Sequence, residues 1–237
     1  MIDLYFYPSP NGLKITVMLE ECALPYQLHL VDITRGAQFE PQFLSFSPNN
    51  KIPALIDTDA VGGPMRLFES GAILLYLAER CGKFLPKDPH ARYACLTWLF
   101  WQVGGLGPMA GQAHHFRAFA PENVPYGIRR YTDEVNRLYG VLDRRLAQVQ
   151  WLAGEYSVAD MACYPWIVPH ERQGQTLADF PHVRRWFESM SARPGVQRGL
   201  ARGHERAADA SGHTFLYGQS AASVNEQEAQ RSSEESR

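Results

Sequence analysis

The sequence predicts an α/β N-terminal unit, ordered βαβ then ββα over residues 1–85, joined to an all-α domain over residues 91–205. Three observations carry that reading. Short apolar runs alternate with one amphipathic segment in the first part. From about Ala91 the strand signal vanishes and long helical periodicities take over. Within the first part the turn signals Pro8 to Gly12 and Gly62-Gly63-Pro64 separate the short runs.

Taken in order, Ile2 to Tyr7 is a strand closed by Pro8-Ser9-Pro10-Asn11-Gly12, and Lys14 to Cys22 is a helix. Tyr26 to Asp32 reads as the second strand, with Leu28 and Leu30 on one face. Pro41 to Phe46 is a short helical or irregular piece that delivers the chain to Ser47-Pro48-Asn49-Asn50. Pro53 has no N–H to lose from a sheet ladder, so it fits the opening of the strand Ala54 to Asp57. A turn at Gly62-Gly63-Pro64, the strand Met65 to Phe68 and the helix Ser70 to Cys81 complete the unit. In the helical part, the run from Tyr93 to Trp101 is expected to bend or loosen at Gly104-Gly105-Leu106-Gly107-Pro108. Tyr126 to Gln148 is a helix with Ile128, Tyr131, Val135, Leu138, Leu142 and Leu146 on its apolar stripe. Ser157-Val158-Ala159-Asp160 has the form of a capping box, structural in role, ahead of the helix Met161 to Pro169. Two short helices follow, around Trp186-Phe187 and over Pro194 to His204. Residues 207–237, rich in Ser, Glu, Gln and Arg, are expected to be a disordered tail.

Composition narrows the function classes. A hydrophobic content of 45% over 237 residues supports a sizeable core, and a net charge of −2 gives no reason to expect nucleic acid or an anionic membrane. Cys22, Cys81, Cys95 and Cys163 are scattered without C-x-x-C spacing or a His partner pattern, which argues against a metal site and a disulfide framework. No apolar run reaches membrane-spanning length and no basic n-region opens the chain, so a reduced, cytoplasmic protein is expected.

The chemistry concentrates in Asn50-Lys51-Ile52-Pro53 and Glu69-Ser70. The residue before a proline is held extended, so the backbone of Ile52 can pair with an extended peptide. Ser70 stands at a helix start, whose N–H groups and dipole suit a carboxylate, while Glu69 suits an ammonium. Lys51 could hold a second carboxylate. Together they fit a short acidic peptide in extended form. Each also has an ordinary reading: Ser70 as a helix cap, Glu69 as a complement to the dipole, Lys51 as a solvated edge charge.

Three long motifs carry a family resemblance: Tyr5-Phe6-x-Pro8-x-Pro10-Asn11-Gly12-x-Lys14-Ile15-Thr16, Ser47 to Ala54, and Trp98-Leu99-Phe100-Trp101-Gln102-Val103-Gly104-Gly105-Leu106-Gly107-Pro108-Met109. With the βαβββα order and the capping box they resemble the cytosolic glutathione S-transferase superfamily over about residues 1–205. Within it they resemble the nu class, the bacterial glutathione-dependent disulfide-bond oxidoreductases related to the fungal prion-forming regulator of nitrogen metabolism. The resemblance implies a thioredoxin-like N-terminal domain and a homodimer. It implies glutathione as substrate or co-substrate, with no metal. In the implied site Glu69 takes the γ-glutamyl ammonium, Ser70 the adjoining carboxylate, and Ile52, before a cis Pro53, the cysteinyl backbone. Lys51 and Gln38 lie near the glycyl end, Asn11 near the sulfur, and Arg130 reaches in from the other subunit.

A free thiol has a pKa of about 8.5, so catalysis needs donors that favour thiolate. Ser9, which stands where the class pattern has threonine, and Asn11 are the candidates, with the Tyr7 hydroxyl as a rival. No cysteine lies between Pro8 and Lys14, and Cys22 reads as a small buried hydrophobe, so the redox thiol is expected to come from glutathione itself. Trp101, Gln112, His114, His115, Phe116 and Tyr126 are candidates for the second-substrate surface, although aromatic residues at helical spacing also serve cores. The implied activity is disulfide reduction, with organic hydroperoxide reduction and weak conjugation beside it. A detoxifying transferase that conjugates electrophiles, or a non-catalytic glutathione-binding regulator, are the alternatives.

Overall fold

The structure is a computed structural model that describes residues 1–202 and 219–227. Strands β1 (Ile2–Phe6), β2 (Tyr26–Leu30), β3 (Ala54–Asp57) and β4 (Met65–Phe68) form one sheet in the order β2-β1-β3-β4. β1 and β2 run parallel because helix α1 (Pro10–Cys22) crosses between them, whereas β1–β3 and β3–β4 are antiparallel. A one-turn helix α2 (Pro41–Leu44) lies in the β2–β3 connection and α3 (Ser70–Cys81) follows β4. This is the expected thioredoxin-like unit.

Helix α1 starts four residues earlier than the sequence suggested. Ser9 is its N-cap, accepting from the Gly12 N–H at 3.3 Å, and Pro10 takes the first-turn position where its missing N–H costs nothing. Gly12 is required there: a Cβ would lie 2.2 Å from the Tyr7 carbonyl oxygen, so only glycine lets the helix start seat against the end of β1.

The second domain opens with α4 (Pro89–Trp101), capped by Asp88. Its glycine-rich segment does not break the helix. Gln102–Leu106 is a π-helical turn, closed by the Gly107 N–H to the Gln102 carbonyl, and the axis continues as α5 (Gly107–His114) into a second π turn at His115–Phe119. Gly104 and Gly105 face open space on that turn, and the crowded glycine of the segment is Gly107, which packs against Gln102. Helix α6 (Pro125–Leu146) buries Val135, Leu138, Tyr139, Leu142 and Leu146, and α7 (Val158–Ile167) is buried along nearly its whole length. Helices α8 (Pro181–Ser191) and α9 (Pro194–Ala201) complete the domain.

The capping box at Ser157 is present, and Asp160 also accepts from the Leu152 N–H at 3.0 Å and Trp186 Nε1 at 2.9 Å. Burial pushes its pKa up to about 6, while those donors pull the other way. One core runs through both domains, from Leu4, Phe6 and Ile15 to Leu142, Met161 and Trp186. Helix α9 locks onto α1 through Thr16 Oγ1, which donates to the Gly199 carbonyl at 2.8 Å. Among the described residues no helix is long and apolar enough to cross a membrane, and no group of three or more His, Cys, Asp or Glu could hold a metal ion. Of the tail expected to be disordered, residues 219–220 have no regular structure and 221–227 are helical instead, and residues 207–218 and 228–237 lie outside the described residues.

Candidate active site between the two domains

Two adjoining lobes form a cleft where the sheet domain meets the π turn of the helical domain. The smaller, about 160 Å³, is walled by Asn49, Lys51, Ile52, Pro53, Phe68, Glu69, Ser70 and Asn11. The larger, about 480 Å³, shares Asn11, Lys51, Glu69 and Ser70 and extends along Lys14, Gln102, Val103, Gln112 and Trp166.

The walls follow from local chemistry. Ser47 is fully buried and its hydroxyl donates to the Lys51 carbonyl at 2.9 Å, while Asn50 takes a left-handed conformation (φ 48°) that asparagine tolerates. This closes a turn over Ser47 to Lys51 that sets Ile52 at the cleft. The Ile52-Pro53 bond is cis. Glu69 occupies the N-cap position of α3 with φ 70° and ψ 112°, a strained backbone for a residue with a side chain. That conformation turns the Glu69 carboxylate and the α3 N-terminus toward the same lobe. An ammonium and a carboxylate on one carbon match this pair.

Behind Ser70 lies an arrangement that sequence reasoning missed. Lys14, on α1, is only 1% exposed, and its Nζ donates to Ser70 Oγ at 3.2 Å and to Gln102 Oε1 at 2.6 Å. Because Ser70 Oγ accepts from Lys14, its own hydrogen is left to donate into the cleft. Burial pulls the Lys14 pKa from its ordinary 10.5 to about 7, with the Glu69 carboxylate among the charges that oppose the shift. A carboxylate bound at Ser70 would raise it again. Gln102 is fully buried on the π turn and its Nε2 has no hydrogen-bond partner. Gly107 makes room for it, since a Cβ would stand 2.7 Å from that nitrogen. In the sequence Lys14 looks like an ordinary residue of a helix start; only its place among Leu13, Ile15 and Val17 hinted at burial.

Asn11 sits in the first turn of α1 and lines both lobes. Its Oδ1 accepts from Trp166 Nε1 at 2.9 Å. An indole N–H can only donate, so the contact fixes which end of the amide is oxygen and leaves Nδ2 as the donor end. Neither rival hydroxyl lines the cleft. Ser9 spends its oxygen on the α1 cap. Tyr7 is hydrogen-bonded to Thr34, and its pKa is raised by burial and then by the Asp32 charge, which disfavours a phenolate.

The second-substrate candidates divide. Gln112 lines the larger lobe, and Trp166, absent from the expected set, lines it too. Trp101 instead packs edge-on against Trp98, centroids 5.2 Å apart, and Phe116 stacks on Tyr131 at 5.3 Å with His115 edge-on to it. His114 packs on Phe119 and its pKa is lowered by burial. Tyr126 is exposed at the start of α6. Gln38 is buried in the turn Ala37–Phe39 and reaches neither lobe, and Arg130 is exposed on α6.

A four-stranded sheet whose proline-led loop and α3 N-terminus face a helical domain defines a glutathione S-transferase, and the chain belongs to that family. The family's N-terminal domain matches residues 8–80 and its C-terminal domain residues 108–194. The chain is 56% identical over 203 residues to disulfide-bond oxidoreductase YfcG of Escherichia coli, which covers 84% of this chain and 94% of that protein. It is 42% identical over 212 residues to disulfide-bond oxidoreductase YghU of the same organism, covering 84% and 73%. Among solved structures, a Pseudomonas putida glutathione transferase with one glutathione disulfide bound per subunit matches with a TM-score of 0.81 at 45% identity, over 85% of this chain and 91% of that one. A Burkholderia graminis glutathione transferase with two glutathione molecules per subunit matches with a TM-score of 0.81 at 43% identity, over 86% and 88%.

Proposed function

We propose that the chain is a cytoplasmic glutathione-dependent disulfide reductase in which bound glutathione, not a protein cysteine, supplies the thiolate. The observation that carries this is the make-up of the cleft. It offers charge partners for both ends of a γ-glutamyl group and an amide donor at Asn11, and no cysteine lines either lobe. Glu69 takes the ammonium, Ser70 and the α3 N-terminus the carboxylate, Ile52 the cysteinyl backbone, and Lys51 with Asn49 the glycyl end. The Asn11 amide donates to the sulfur and favours its thiolate form. That thiolate attacks one sulfur of the substrate disulfide and the other sulfur leaves as a thiol. A second glutathione then resolves the mixed disulfide as glutathione disulfide. The larger lobe, which extends past Gln102, Gln112 and Trp166, is the place for that second molecule in this reading, and the two solved relatives hold a glutathione disulfide or two glutathiones. In this reading the protein is a homodimer, and Arg130 completes the glycyl end from the partner subunit.

Rates measured side by side with hydroxyethyl disulfide, cumene hydroperoxide and chlorodinitrobenzene test the assignment. Disulfide reduction is expected to dominate, with lesser peroxidase and conjugation rates. A dominant chlorodinitrobenzene rate would make the protein a conjugating transferase, and no turnover of any would make it a binding protein. A folded variant with all four cysteines replaced by alanine or serine is expected to keep disulfide reduction within a few-fold; its inactivity would overturn the mechanism.

A further inference from the structure

Two of the four cysteines, remote in sequence, meet in space. Cys22 is the last residue of α1 and Cys81 the last residue of α3, and the Sγ atoms of these free thiols are 2.7 Å apart. The helices end side by side, each followed by a left-handed residue, Ala23 at φ 54° and Gly82 at φ 67°, that turns the chain away. Cys22 is buried at 7% exposed, whereas Cys81 is half-buried. Neither lines the glutathione cleft. Cys22 lies eleven residues along α1 from Asn11, about 16 Å at the helical rise.

We propose that Cys22 and Cys81 are a dithiol modification site, oxidised to an intramolecular disulfide by low-molecular-mass disulfides such as glutathione disulfide. The more accessible Cys81, as thiolate, attacks one sulfur of glutathione disulfide and expels one glutathione thiolate. Cys22 then loses its proton and attacks Cys81 Sγ in the mixed disulfide, expelling the second glutathione. The two protein thiols are oxidised by two electrons and one glutathione disulfide is reduced to two glutathiones. The placement favours a slow reaction with a durable product. The Cys22 sulfur stands at a helix C-terminus, where the dipole disfavours thiolate. Burial, followed by the contact with Cys81, pushes the Cys22 thiol well up, and a thiol of high pKa is a poor leaving group when a reductant attacks the disulfide. The bond would pin the C-terminal ends of the two helices that carry Asn11, Lys14 and Ser70 at their other ends.

The test is incubation of the purified protein with excess glutathione disulfide, followed by acid quench, alkylation under denaturing conditions and intact-mass and peptide mass spectrometry. The expected product keeps two alkylatable thiols, Cys95 and Cys163, and yields a peptide cross-linked through Cys22 and Cys81. Before alkylation it is about 2 Da lighter than the reduced chain. Glu69→Ala, which weakens the cleft, is expected to oxidise equally well, and Cys81→Ala to yield no intramolecular bond. Four alkylatable thiols after incubation, a stable glutathione adduct on Cys81 without closure, or a link between two chains would each overturn the proposal.

Discussion

The Asn11 amide lines both lobes with its oxygen end held by Trp166, and removing it tests the sulfur chemistry directly. A hydrogen bond to a charged acceptor contributes about 1.5–3 kcal/mol. Since one pKa unit corresponds to about 1.36 kcal/mol, Asn11→Ala is expected to raise the pKa of bound glutathione by about one to two units. At neutral pH the thiolate fraction and kcat/KM then fall about 10- to 100-fold, with recovery at high pH. Trp166→Phe leaves Asn11 in place and removes the indole N–H that holds Oδ1 at 2.9 Å, together with part of the wall of the larger lobe. An amide freed to turn over presents oxygen to the thiolate part of the time, so a smaller loss follows, about two- to five-fold, in the same direction. The assay is the pH profile of kcat/KM for hydroxyethyl disulfide, read for the ascending limb. The limb should move to higher pH in both variants, further in Asn11→Ala. If it stays put in both while the rate falls, Asn11 binds substrate without activating sulfur. If Ser9→Ala moves it instead, the capping hydroxyl is the activator.

Glu69→Ala is expected to raise the glutathione KM by about 10- to 150-fold, the value of a charge-assisted contact, and an unchanged KM would place the ammonium elsewhere. Lys14 makes a prediction about stability and pH. With a folded pKa of about 7 against an ordinary 10.5, the folded chain binds fewer protons than the unfolded chain between those values. Wild type should therefore gain stability relative to Lys14→Met from about pH 7 upward and show a flat difference below it. Urea midpoints of the two proteins that run parallel across pH 6 to 10 would rule out a buried, perturbed amine. Asp160→Ala strands the Leu152 and Ser157 amides and the Trp186 indole in the core, so a loss of about 3 kcal/mol or more is expected. A urea-unfolding loss under about 1 kcal/mol would mean those donors find other partners.

Local rules made most of the fold legible in the sequence. Pro53 ahead of an apolar run, Ser70 at a helix start and the Ser157 to Asp160 box mark element ends through backbone chemistry that acts within a few residues; β3 and α3 lie where expected, and α7 starts three residues earlier, at Val158. That Lys51, Ile52, Glu69 and Ser70 share one lobe was legible for the same reason, since a strand start and a helix start each announce themselves, whereas Asn11 was pointed to by the family resemblance. What stayed hidden depends on contacts between distant segments. Trp166 and Asn11 are 155 positions apart, and Lys14 and Gln102 are 88 apart. No periodicity signals either pair. The cysteines show the same limit, for spacing that argued against a framework says nothing about two helix ends 59 positions apart. The π turn gives the expected loosening a specific form: a helix that meets three glycines and a proline within five residues continues by widening one turn.

That widened turn ties the two domains together at the cleft. Lys14 comes from α1, Ser70 from α3 and Gln102 from the π turn, and Lys14 bridges the other two. A regular α-helix through 102–106 would rotate Gln102 relative to the residues beyond it, and the buried amine would lose its strongest acceptor. The helical domain thus holds, through one amide, the lysine that orients the Ser70 hydroxyl in the cleft. A change at Gln102 should therefore be felt in glutathione binding on the opposite domain. For Gln102→Leu the sign follows from burial. Without the Oε1 acceptor Lys14 becomes harder to charge, Ser70 loses its oriented donor, and glutathione KM rises while the circular dichroism of the helices is retained. A Gln102→Leu protein with wild-type KM would show that Lys14 and Ser70 are held without help from the helical domain.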